Sequence, residues 1–69
     1  MPSHATEHQR DLMRSLYRLH TGDERAICAA YAGAEASGHA FRKNGNYRLS
    51  PEAYAAALLA DGKAKGWLK

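Results

Sequence analysis

The chain has 69 residues, with ten Lys and Arg against seven Asp and Glu and a single cysteine. A chain this short is one domain near the lower limit of what folds without metal or disulfides. The lone Cys28 excludes an internal disulfide framework and suits a reducing compartment. No apolar run approaches the roughly 20 residues a membrane span requires, and Met1, Pro2, Ser3 and His4 lack a signal peptide's apolar region, so a cytoplasmic protein with no membrane partner is expected.

Alanine supplies much of the 45% hydrophobic content, valine is absent, and Ile27 is the only isoleucine. Scarcity of β-branched residues argues against strands. The fold class expected is therefore all-α: a compact three-helix domain over residues 1–69, with residues 1–5 frayed. Few large apolar side chains are available to its core, so a homodimer or a partner surface is a further expectation.

Thr6 followed by Gln9 forms a capping box, and Glu7 places a carboxylate in the first turn. From there to about His20, Leu12, Met13, Leu16, Tyr17 and Leu19 share one side, while Glu7, Arg10, Asp11, Arg14, Ser15 and Arg18 share the other. Arg10, Arg14 and Arg18 make a stripe that resembles a phosphate-tracking edge. Glu7 and Asp11 stand within pairing distance of Arg10 and Arg14, and a solvated, salt-bridged face is the preferred reading.

Gly22 suits a position just past the end of this helix, and Thr21 or Asp23 suits the cap of the next. Helix two runs to about Ser37 and stops at Gly38. Its core side is Ile27, Ala30, Tyr31 and Ala34, while Ala26, Ala29, Ala32, Gly33 and Ala36 leave small surfaces for neighbouring helices or self-association. A helix-turn-helix reading fails on this element, because its one cation, Arg25, leaves little to read base edges.

A basic segment follows. Asn44-Gly45 favours two successive residues of positive φ, so Phe41, Arg42 and Lys43 with Tyr47, Arg48 and Leu49 could flank a short hairpin; an irregular loop is preferred, because arms of this length are marginal. Ser50, Pro51 and Glu52 then mark the clearest helix start in the chain. Tyr54, Ala55, Leu58 and Leu59 fall on one arc, with Gly62 and Gly66 inside it. Either the helix continues through Gly62, which requires a reason such as close approach of another backbone, or Asp61-Gly62 ends it and residues 63–67 form one further turn. Trp67 lies off the arc, favouring a break before it, and is expected to fold back as a lid on the core.

Charge is unevenly distributed. Residues 1–38 carry four arginines against five carboxylates, net −1, whereas residues 39–69 carry Arg42, Lys43, Arg48, Lys63, Lys65 and Lys69 against Glu52 and Asp61, net +4. Cations in an Asn/Gly segment beside Tyr47 and a helix N-terminus are groups that bind phosphates through charge, amide donors and dipole. The expected activity is contact with nucleic-acid backbone through Arg42, Lys43, Asn44, Asn46, Tyr47, Arg48, Lys63 and Lys65. The alternative is an interaction or inhibitor module that meets an acidic or other protein surface through the alanine-rich face of helix two or the Trp67 region.

Catalysis and cofactors are not expected. His4 and His8 share an i, i+4 spacing, but Cys28 has no second cysteine nearby, which falls short of zinc-ligand spacing. His20 is better read as a dipole partner at a helix C-terminus. No glycine-rich phosphate loop of P-loop or dinucleotide type is present, and Ser37 and Ser50 have local explanations at helix ends. Tyr31 and Tyr54 read as core filling, with Tyr47 left open as a base-stacking residue.

Overall fold

The computed structural model describes residues 5–40 and 49–68. The fold is an all-α, three-helix domain: α1 (Glu7–Leu19), α2 (Glu24–Ala36) and α3 (Pro51–Lys65). Among the described residues there is no strand, and no helix is long and apolar enough to cross a membrane. The expected hairpin or loop at 41–48 lies outside them.

Each helix begins where its capping chemistry begins. The Thr6 hydroxyl accepts from Gln9 N at 3.1 Å while Gln9 Oε1 accepts from Thr6 N at 2.9 Å, the reciprocal pair of a capping box. This bond also carries Gln9 inward, where it is 3% exposed, a polar burial that helical periodicity had not marked. Asp23 rather than Thr21 caps α2, accepting from Ala26 N. Thr21 instead takes the left-handed conformation at φ 50, alongside Gly22 at φ 76, and the chain reverses there with Gly22 N donating to Tyr17 O. At α3, Ser50 accepts from Ala53 N at 3.2 Å and Pro51 occupies the first turn, where its missing N–H costs no intrahelical bond.

Gly38, at φ 83, follows the end of α2, and the amides of His39 and Ala40 both donate to the Ala34 carbonyl. This folds Ala40 into the core. His8 Nε2–H donates to the His39 carbonyl at 2.5 Å, tying the start of α1 to the segment that leaves α2.

The three helices enclose Met13, Ile27, Tyr31, Tyr54, Leu58 and Leu59, with Ala5, Ala40, Ala55 and Leu68 completing the core. The Tyr31 and Tyr54 rings lie 6.0 Å apart and tilted by 44°, a favourable aromatic geometry and the core role expected of both. Leu19 departs from expectation. It falls on the apolar side of α1 yet is 73% exposed. Periodicity defines a face, whereas burial at its last residue requires a neighbouring helix that reaches that far.

Candidate functional site

Helix α3 runs through Gly62 and ends at Gly66, which adopts φ 79. The alternative end at Asp61-Gly62 is therefore corrected. The break expected before Trp67 is present, one turn later than that alternative placed it. Gly66 N and Leu68 N both donate to the Gly62 carbonyl, turning the chain back along its own helix. A Cβ on Gly62 would lie 2.7 Å from both Cγ and Cδ1 of Leu68 and 3.1 Å from Trp67 Cη2. Glycine is required here by returning side chains rather than by another backbone. Leu68 enters the core and Trp67 packs on its edge, as a lid would.

The outer side of Trp67 meets α1. The guanidinium carbons of Arg10 and Arg14 stand 5.8 and 5.4 Å from the indole centroid, both within cation–π range, and Arg14 Nε donates to the Trp67 carbonyl at 3.0 Å. Arg14 also pairs with Asp11, as its spacing suggested, but Arg10 turns under the indole instead of toward Glu7. Two of the three arginines in the α1 stripe are thus engaged by the C-terminal segment, and Arg18 remains exposed. The solvated face expected of α1 is in this part an intramolecular contact.

This contact is closely balanced. Arg10 Nε and Trp67 Nε1 are buried and find no acceptor among the described residues. An unmade buried hydrogen bond costs about 1–3 kcal/mol, while a cation–π contact contributes about 0.5–2 kcal/mol. The favourable and unfavourable contributions are of similar size, so Trp67 is held largely by its tether to buried Leu68 and by the Arg14 bond.

The sequence-predicted cationic residues divide into two groups. Arg42, Lys43, Asn44, Asn46, Tyr47 and Arg48 lie outside the described residues. Lys63 pairs across helices with Glu24 of α2, and Lys65 pairs with Asp61 at 3.2 Å one turn back on α3. The bond to Glu24 holds the Lys63 ammonium above its ordinary pKa of 10.5. Both lysines are nevertheless on the surface, where such pairs are worth little and exchange readily with other anions.

Cys28 is half-buried, and desolvation, with smaller contributions from the Glu24 and Glu52 charges, pushes its thiol above the usual 9.0. A nucleophilic cysteine needs the opposite shift. No group of three His, Cys, Asp or Glu side chains able to hold a metal occurs among the described residues. Comparison with known proteins found no matching family model, no matching curated protein and no matching solved structure.

The feature that sequence reasoning missed is the Arg10, Arg14 and Trp67 cluster. Its signals were present separately: arginines one turn apart, a tryptophan off the helical arc and a glycine within a helix. Their meeting depends on how α3 ends.

Proposed function

We propose that this protein is a small, non-catalytic binding protein that contacts nucleic-acid backbone through its basic 42–48 segment and C-terminal helix. The supporting observation is the charge distribution, net +4 over residues 39–69 against −1 over residues 1–38. In sequence, Arg42, Lys43 and Arg48 precede the exposed Ser50 cap of α3, and a helix N-terminus, with its positive dipole end, is a further group that attracts phosphate. Asn44, Asn46 and Tyr47 add polar and stacking groups. Lys63 and Lys65 serve as secondary contacts, because each must first leave a carboxylate.

Fluorescence anisotropy with labelled duplex and single strands across a salt series tests this reading. Binding that weakens linearly with log salt supports it, since the slope counts the phosphates neutralised. Salt-indifferent binding, or none at low salt, removes it.

A protein partner is the second reading, favoured by the exposure of Ala29, Gly33 and Ala36 along α2. Small side chains let another surface approach the helix backbone closely. Retention of a partner from nuclease-treated lysate would favour this reading, and sedimentation over a concentration series would show whether the partner is a second copy. A protein partner at the Trp67 region would first have to draw the indole away from Arg10 and Arg14.

A further inference from the structure

We propose that Arg10, Arg14 and Trp67 form a covered binding edge for single-stranded nucleic acid, which opens when phosphates take the two guanidiniums and a base takes the indole. The inference rests on the reading of the protein as a nucleic-acid binder and assigns it a strand type and a second surface, on α1 rather than in the basic segment.

Three observations converge on the edge. Arg10 and Arg14 are one turn apart, about 6 Å along the helix axis, and exposed Arg18 continues the row by the same step. Such a row follows a phosphodiester backbone in extension. Between Arg10 and Arg14 sits an indole, the side chain on which an unpaired base stacks irrespective of its sequence. Positive charge beside an aromatic face is the combination that selects single strands, because duplex bases have no free faces to offer.

The covered state also leaves specific valences unused. Arg10 Nε–H and Trp67 Nε1–H are buried without acceptors among the described residues, and Arg14 Nε–H is spent on the Trp67 carbonyl. Phosphate oxygens supply acceptors for guanidinium donors in bidentate geometry. Opening therefore exchanges two cation–π contacts, the Arg14 bond to the Trp67 carbonyl and the Leu68 N bond to the Gly62 carbonyl for charge-assisted bonds and base stacking. Asp11, already paired with Arg14, remains beside it and limits the gain at that arginine.

The cover has a defined seat and a defined pivot. Gly66, left-handed at φ 79, immediately precedes Trp67, and rotation there swings the indole together with Leu68, breaking the bond from Leu68 N to the Gly62 carbonyl. The seat exists because Gly62 has no Cβ to meet Trp67 and Leu68. Gly62→Ala therefore unseats the cover without removing any of the three proposed contact side chains.

Trp67 is the only tryptophan, so its emission reports the cover alone. The experiment titrates the full chain with dye-labelled oligothymidylate at low salt, following strand anisotropy and tryptophan emission together. The expected result is quenching of Trp67 in step with binding, an affinity about tenfold lower in R10Q/R14Q, and one about threefold or more higher in Gly62→Ala. R10K/R14K, which keeps the charges and loses the fork, should fall between R10Q/R14Q and the parent, with circular dichroism verifying the fold of each variant. Binding without any change in Trp67 emission, and with R10Q/R14Q equal to the parent, overturns the covered edge and leaves the basic-segment reading standing. Absence of binding to both single strands and duplex removes both.

Discussion

Gly62 and Leu68 occupy one another's space: a methyl group on the glycine would stand 2.7 Å from the leucine Cγ. The glycine in the middle of α3 is thus explained by a residue six positions later, which the helix end returns to the core. The return of residues 66–68 along α3, and with it the seat of Trp67 against α1, requires this close approach.

Gly62→Ala should accordingly lower stability despite improving helix propensity. Alanine gains about 1 kcal/mol in a helix interior, but displacement of Leu68 forfeits about 1.5–3 kcal/mol of burial. A net loss of about 0.5–2 kcal/mol is expected in urea denaturation, with a red-shifted Trp67 emission in the folded baseline. An unshifted emission together with higher stability would show that the tail does not sit where Gly62 admits it.

The caps of α1 and α3 should contribute measurably to stability, and Gln9 more than its capping role alone. Thr6→Ala and Ser50→Ala should each cost about 1 kcal/mol, since each removes an acceptor for one orphan amide. Gln9→Ala should cost more than an exposed capping-box partner normally would, because Gln9 is 3% exposed and its loss also leaves a gap. Chemical denaturation of the three variants checks the order, and Gln9→Ala equal to the parent would contradict it.

The Lys63 to Glu24 pair makes a prediction in alkali. The bond to Glu24 raises the folded-state pKa of Lys63 above 10.5. A raised pKa means that the pair's stabilisation is fully present below the unfolded value and is lost as pH rises through the folded one. Thermal melts of the parent and Lys63→Met should therefore differ slightly at neutral pH and converge in strong alkali, and added salt should narrow the difference at neutral pH. A difference that grows with pH would have the wrong sign.

Cys28 should react slowly. Burial and two nearby carboxylates raise its pKa above 9.0, which reduces the thiolate fraction at neutral pH. The rate of iodoacetamide modification against pH should show a midpoint above 9.0 in the folded protein and a lower one in denaturant. A folded-state midpoint below that of the unfolded chain would indicate an activating neighbour absent from the described structure.

The sequence by itself determined where α1 and α3 start, narrowed the start of α2 to Thr21 or Asp23, and marked most of where the helices stop and most of the arcs they bury. Thr6 with Gln9, Asp23, and Ser50 with Pro51 act on amides within three residues, and the residues that satisfy those amides are adjacent in the chain. The arc of Tyr54, Ala55, Leu58 and Leu59 was equally legible, because helical periodicity alone places those side chains together. The tertiary structure decided what each face meets. It left Leu19 in solvent, drew Gln9 inside, and turned Arg10 and Arg14 from a surface stripe into the bed of Trp67. The Arg14 to Trp67 bond spans 53 positions of sequence, and its existence depends on a helix end and an interhelical approach that no local pattern encodes.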